Sequence, residues 1–307
     1  MSVQLLSSAS DAGFHARTTG WESSAPGLPS LRGRRAEGPG PTIHFLSGNG
    51  FCAGVYWPFL RGLLAGHGLF SHDIEGHGAS DAPAKFSGIN AVCRRVIAAI
   101  AEQKLKTPLI GMGHSFGGAL TVKLAAQNPG LFRALVLLDP ILMPPGVWHV
   151  WSRLRWLRAN PMAQGSRKRR DRWLSREAVA EHLRGRGIYA GWAEEAFDSF
   201  IEHATREDAG GERILCCPRE LEAQIFERPV YPWDALRKIS VPVLYLHGAS
   251  SYDFFPASAR RAQKLNPQIR VQTLPGGHCF MQENPAAATQ AVRDFLAASA
   301  SEQKPAT

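Results

Sequence analysis

Pro108-Leu109-Ile110-Gly111-Met112-Gly113-His114-Ser115-Phe116-Gly117 carries an apolar run directly into a glycine-flanked serine, and Ala119 to Gln127 continues as a helix-like segment. A short run that is apolar on both faces reads as a buried strand, so Ser115 falls on a tight turn between a strand and a helix. Gly113 and Gly117 let the backbone take that turn and keep side chains away from the hydroxyl. The pentapeptide Gly-x-Ser-x-Gly is short enough to arise by chance, so its surroundings have to carry the reading.

Working outward, further strand-like runs recur at Thr42 to Leu46, Leu69 to His72, Ala134 to Leu138, Val241 to Leu246 and Ile269 to Leu274. Helices are expected between them at Val55 to Ala65, Ile89 to Lys104, Pro256 to Leu265 and Pro285 to Ala298. This alternation predicts a parallel sheet covered by helices. Phe14 to Glu22 and Ser30 to Ala36 are read as an N-terminal hairpin. Between Asp139 and Tyr231 the strand rhythm stops for about ninety residues, which predicts an inserted cap of helices and loops. Within it Val147, Val150, Trp151, Leu154 and Leu157 make one apolar stripe, Asn160-Pro161 ends that helix, and Gly165 to Arg172 reads as a basic solvated loop. Helices are expected again from Ser175, at Ala193 to His203 and at Glu220 to Phe226. The domain reading is therefore a core of residues 1–140 and 231–307 with a cap at 141–230.

A serine hydroxyl needs a base within reach and an acid that fixes the base's tautomer. His278 follows Gly276-Gly277 just after the last strand-like run, where strand ends gather catalytic groups. His114 precedes the serine and is expected to point away from it. Two acids can reach His278. Asp253, after Gly248-Ala249-Ser250-Ser251-Tyr252, is the preferred one, and Asp139 at the end of Ala134 to Leu138 is the alternative. Donors for a developing oxyanion are expected from the amide of Phe116 and from Asn49, in the loop Ser47-Gly48-Asn49-Gly50-Phe51.

These motifs, together with Asp73-Ile74-Glu75-Gly76-His77-Gly78-Ala79-Ser80, resemble the α/β-hydrolase fold superfamily, of the capped serine esterase, lipase and C–C hydrolase type. The resemblance covers roughly residues 14–298. It implies a mostly parallel eight-stranded sheet flanked by helices, a Ser115-His278-Asp253 triad, and a cap inserted after the sixth strand. Ester hydrolysis through an acyl-enzyme is the expectation, with C–C, thioester or amide hydrolysis, or a non-catalytic receptor or scaffold, as alternatives. Two departures stand out: Ser47-Gly48 replaces the His-Gly that often opens the oxyanion loop, and Asp253 lies farther past Gly248 than the family's acid does. A serine nucleophile argues against the aspartate-based epoxide hydrolases and haloalkane dehalogenases of the superfamily.

Composition bounds the partners. The chain has 307 residues and a net charge of +9, but eleven basic residues against three acidic ones crowd between Arg153 and Arg186. Such a local excess argues against a general nucleic-acid surface. It suggests an anionic membrane or an acidic substrate at Arg167 to Arg172, beside the plainer reading of a solvated loop. Cys52, Cys93, Cys216, Cys217 and Cys279 form no Cys-x-x-Cys pair, so neither a disulfide framework nor zinc is expected, and the setting expected is reducing and cytoplasmic. No nucleotide or metal motif is present, so no cofactor is implied, and a small ester or acyl compound is the expected partner. No apolar run is long enough to cross a membrane, and Met1 to Gly13 does not read as a secretory signal.

Overall fold

A computed structural model describes residues 11–154 and 160–302. Among the described residues eleven short strands and thirteen α-helices follow one another, and eight of the strands form one sheet. A first helix, α1 (Asp11–Arg17), leads into β1 (Thr19–Ser23) and β2 (Leu31–Ala36), which pair antiparallel from Thr19–Arg35 to Ser23–Leu31. Then come β3 (Ile43–Leu46), α2 (Trp57–Leu60), β4 (Leu69–Asp73), α3 (Ile89–Glu102), β5 (Leu109–His114), α4 (Phe116–Gln127) and β6 (Phe132–Leu138). After the inserted cap, α10 (Trp233–Leu236), β10 (Val243–Gly248), α11 (Phe255–Leu265), β11 (Ile269–Leu274), α12 (Phe280–Glu283) and α13 (Pro285–Glu302) complete the core. The spatial order is β1-β2-β4-β3-β5-β6-β10-β11, and β2 runs against both of its neighbours while the remaining pairs are parallel.

Sequence pattern and position agree closely. The central strands β3, β4, β5 and β10 are buried at every residue, as strands covered on both faces must be. At the edge, β11 alternates between buried ends and an exposed middle. Two apolar cores result, one on each side of the sheet: Phe45, Met112, Val136 and Leu246 face one, and Leu46, Phe70, Leu135 and Tyr245 face the other. Polar residues also enter these layers. His44 and His72 are fully buried against Phe70 and one another, with no partner for either ring nitrogen. Burial alone holds His44 down to about 3, so it packs as a neutral ring.

The helix expected at Val55 to Ala65 is broken into two 3-10 turns, Ala53–Tyr56 and Arg61–Leu63, around α2. Pro58 lies in the first turn of α2 and has no N–H to bond back to the preceding turn, so a continuous ladder cannot form. The N-terminal hairpin is present, but Phe14 lies in α1 rather than in a strand.

The cap follows β6 and contains α5 (Pro145–Leu154), α6 (Pro161–Lys168), β7 (Arg172–Trp173), α7 (Arg176–Leu183), α8 (Glu194–His203), β8 (Thr205–Glu207), β9 (Arg213–Leu215) and α9 (Arg219–Phe226). Asn160 opens α6 by accepting from the amides of Met162 and Ala163, with Pro161 at the first position. Ser175 caps α7 in the same way, accepting from Ala178. The insertion is not purely helical: β7, β9 and β8 form a small antiparallel sheet. Nor is Gly165 to Arg172 all loop, since its first four residues end α6. The apolar stripe differs too. Val147 and Val150 are exposed, the side chains of Trp151 and Leu154 and all of Leu157 lie outside the described residues, and Trp148 instead packs on Tyr231 and donates to the Pro229 carbonyl at 3.0 Å.

No helix among the described residues is long and apolar enough to cross a membrane. All five cysteines are free thiols.

Candidate active site

Ser115 is the last residue before α4, with φ 52° and ψ −114°. A non-glycine residue in that region is strained, and the strain is held by what surrounds it. A Cβ on Gly117 would sit 2.3 Å from the Leu46 carbonyl oxygen, and one on Gly113 would sit 2.4 Å from the Gly117 carbonyl oxygen. Only glycine lets the three backbone segments approach this closely.

His278 meets the serine: its Nε2 is 3.0 Å from Ser115 Oγ. On the other ring edge, Nδ1 is 2.7 Å from Oδ2 of Asp139. An Nδ1–H that donates to the carboxylate leaves Nε2 free to accept the serine proton. Burial pushes the His278 imidazole down to about 4, so it is neutral at pH 7. Burial also pushes the Asp139 carboxyl up, against the pull of donors from the Ser251 hydroxyl and the Gly248 amide.

The preferred acid, Asp253, is not in this line. It is exposed and lies in a turn leading to α11, with no hydrogen bond or ion pair to any described residue. The reason is where the chain turns. β10 ends at Gly248, and Ser251, two residues before Asp253, is the side chain that faces inward and bonds Asp139. Asp139 leaves the neighbouring strand β6 with φ 42°, its amide bonded to the Leu246 carbonyl of β10 at 2.8 Å. That cross-strand bond brings the carboxylate to the Nδ1 edge of the His278 ring.

His114 bonds the backbone of the base rather than Ser115. Its ring lies 4.7 Å from that of His278, and its Nε2–H donates to the His278 carbonyl at 2.9 Å. Its Nδ1 then accepts from the Tyr56 hydroxyl at 2.7 Å, while the Tyr56 oxygen accepts from the Gly48 amide at 3.0 Å. A neutral chain thus runs from the loop after β3 to the backbone of the base, and burial holds His114 down to about 3. Neither Tyr56 nor Ser251 was marked by a motif. Both are visible only once β3, β5, β6 and β10 are laid side by side.

The two expected donors sit beside Ser115. Asn49, Ser115 and Phe116 line a cavity of about 40 Å³ whose remaining wall is Ala119, Ile141, Met143, Met162, Ile225, Phe226, Pro229 and Val230. Phe116 opens α4, so its amide has no partner within the helix, and the Asn49 amide bonds no group among the described residues. The Asn49 side chain is otherwise engaged: Nδ2 donates to the Glu222 carbonyl of α9 at 3.0 Å. The neighbouring Gly50 amide donates to His77 Nε2 at 2.9 Å. His77 belongs to the Asp73 to Ser80 segment, whose Asp73 carboxyl receives the amides of Ala53 and Ala79 at 3.1 and 3.2 Å. The role of that segment is to clamp the loop carrying Asn49.

Most of the basic stretch of the cap is paired. Arg167 bonds Glu220 and Glu227, Arg172 bonds Asp208 and Glu212, Arg176 bonds Glu202, and Arg184 bonds Glu194 and Asp198. The carboxylates that balance the run come later in the same insertion. No group of three or more His, Cys, Asp or Glu side chains suited to a metal occurs among the described residues.

The chain belongs to the alpha/beta hydrolase family, whose model matches residues 45–291. It is 30% identical over 104 residues to the abhydrolase domain-containing protein ACTT2 of Alternaria alternata, a match to 34% of this chain and 36% of that protein. The chain thus matches only about a third of the length of the first such relatives. It is 26% identical over 267 residues to a 2-(acetamidomethylene)succinate hydrolase of Mesorhizobium japonicum, covering 85% of this chain and 90% of that one. Among solved structures, an E-2-(acetamidomethylene)succinate hydrolase superposes with a TM-score of 0.75 at 24% identity, over 91% of this chain and 99% of the other. The fold is therefore that of the α/β hydrolases, with the cap after the sixth strand.

Proposed function

We propose that this chain is a serine hydrolase that cleaves carboxylic esters of small apolar acyl groups through an acyl-enzyme on Ser115. The observation that carries the reading is the continuous contact from Asp139 through His278 to Ser115, at 2.7 and 3.0 Å. In the first half-reaction His278 Nε2 takes the proton of Ser115 Oγ as that oxygen bonds the acyl carbon. The carbonyl π-electrons move to oxygen, where the amides of Asn49 and Phe116 receive the negative charge. The carbonyl re-forms, the bond to the alcohol oxygen breaks, and the proton on His278 passes to that oxygen. Water then repeats the sequence on the acyl-serine and releases the acid. Asp139, rather than Asp253, orients the imidazole and steadies its positive charge while the proton is held.

The acyl pocket sets the size. A cavity of about 40 Å³ has room for about three water molecules, which corresponds to an acyl chain of about two to four carbons. Apart from Asn49 and Ser115 its wall is apolar and holds no cation. The succinate in the name of the Mesorhizobium relative is a dicarboxylate, and this wall offers nothing to balance one.

A fluorophosphonate probe tests the nucleophile. It is expected to label the intact protein and to leave Ser115→Ala unlabelled, and equal labelling of both would refute the reading. In a series of p-nitrophenyl esters, kcat/KM should be highest for acetate to butyrate. A steady rise towards octanoate would remove the small-acyl assignment.

A further inference from the structure

After the ion pairs of the cap are formed, and besides Arg153 on α5, three cations of its basic stretch, Lys168, Arg170 and Arg186, bond no carboxylate among the described residues. All three line one pocket of about 610 Å³, together with Arg169, His182, Trp173 and Tyr189. No acidic side chain lines it. Arg169 is paired with Glu222 at 2.9 Å, but its Nε finds no acceptor. Trp173 is 1% exposed, and its Nε1–H is likewise without an acceptor among the described residues. Unpaired donors in a wall are costly unless a ligand or solvent meets them. Guanidinium and ammonium groups gathered without a carboxylate suit a phosphate, and the exposed guanidinium plane of Arg170, which lies 5.8 Å from the Trp173 ring centroid, suits a planar ring attached to it.

The pocket also leads somewhere. Gly187 and Ile188 line it, and the same two residues line a second groove of about 440 Å³ that includes Ser251, Tyr252 and His278. A ligand anchored among the cap cations can therefore extend over the Gly187-Ile188 ridge to the base. We infer that the cap pocket binds the phosphate-bearing, nucleotide-like leaving half of the acyl donor, an oxygen ester or thioester whose acyl group enters the small apolar cavity at Ser115. The pocket stands on its own observations, while its role as a substrate handle rests on the serine-hydrolase reading.

Titration calorimetry with adenosine 5′-phosphate, uncharged adenosine and inorganic phosphate tests the pocket. The nucleotide is expected to bind at least about tenfold more tightly than adenosine or phosphate, and more weakly at high salt. Arg170→Glu with Arg186→Glu should abolish that binding. Arg260→Glu with Arg293→Glu, an equal charge change at exposed sites on α11 and α13, should leave it intact. Equal binding by the two double variants, or by adenosine and its phosphate, would overturn the inference. Inorganic phosphate binding as tightly as the nucleotide would reduce the pocket to a simple anion site and overturn the handle. Sedimentation with anionic phosphatidylglycerol vesicles, lost in Arg170→Glu/Arg186→Glu and unaccompanied by nucleotide binding, would assign these cations to a membrane instead.

Turnover tests the link. With S-acetyl-coenzyme A the Arg170→Glu/Arg186→Glu variant should lose about tenfold or more in kcat/KM, chiefly through KM, while p-nitrophenyl acetate turnover stays unchanged. An equal fall for both substrates would overturn the handle. Binding measured in Ser115→Ala separates the two proposals: nucleotide bound there at full strength upholds the pocket whatever the serine does.

Discussion

The core and the cap neutralise their polar groups in opposite ways. In the core, imidazoles and carboxyls are taken out of water and held by neutral hydrogen bonds, as in the run from Gly48 through Tyr56 and His114 to His278. In the cap, arginines stay largely solvated and are cancelled one by one by glutamates and aspartates. Burial makes each core group expensive to ionise, whereas an exposed pair gains little from either partner. The difference teaches where each kind of perturbation will act: protonation on the core, salt on the cap.

The sharpest way to break this contrast is to alter the buried acid. Asp139→Asn should lower turnover of a short-chain ester by about 10⁴-fold, because the amide favours the wrong tautomer of His278. Asp253→Asn, in exposed chain, should leave it within about twofold. A larger loss at Asp253 would return the acid to the loop after β10.

Next in size is the elbow. Gly117→Ala places a methyl group 2.3 Å from the Leu46 carbonyl oxygen, where backbone on both sides leaves no room to yield. We expect a loss of more than about 3 kcal/mol, measured as a shift of the urea midpoint, or failure to fold. A stable Gly117→Ala protein would show that the sheet and α4 can separate.

Acid is the third test. Burial pushes down seven imidazoles, at His44, His67, His72, His77, His114, His203 and His278, and pushes up three carboxyls, at Asp73, Asp139 and Glu222. The unfolded chain protonates the imidazoles near pH 6.5 while the folded one does not, so their contribution is present above that pH and is lost as pH falls towards 4. The carboxyls act in the opposite direction between about pH 4 and 7. With seven against three, stability falls on acidification from pH 6.5 to 5, each unbalanced proton weighing about 1.4 kcal/mol per pH unit. Urea midpoints at pH 7 and pH 5 read this directly, and a protein no less stable at pH 5 would contradict it.

The smallest effect is expected in the cap. Arg172→Ala removes both ion pairs to Asp208 and Glu212, yet the arginine is half exposed. Stability should change by less than about 1 kcal/mol, and the change should shrink at high salt. A larger loss, indifferent to salt, would mean that these pairs hold the β7-β9-β8 sheet together.

The same contrast explains what could be read before folding. Ser115, His278, the central strands and the helices from Ser175 and Ala193 are local: each is announced by neighbours in sequence, through period, capping or a glycine pair. Asp139 is not. It, and not Asp253, lies against His278 because β6 lies beside β10, and strand adjacency has no signature in a linear pattern. The cap sheet escaped notice because its strands have only two or three residues, too few to show alternation. The charge excess at Arg153 to Arg186 looked unbalanced because its counter-ions lie up to 60 residues away, as Glu227 does from Arg167.

The bond from Asn49 Nδ2 to the Glu222 carbonyl makes an interlock of the cap and the oxyanion loop. Any movement that lifts α9 enough to widen the small cavity must first part those two atoms. The loop that presents the Asn49 amide is then left with the His77 clamp and the Tyr56 hydroxyl as its anchors. Cap and loop are thus tied at a single pair of atoms, so the height of α9 over the cavity and the position of the Asn49 backbone are one geometric variable rather than two.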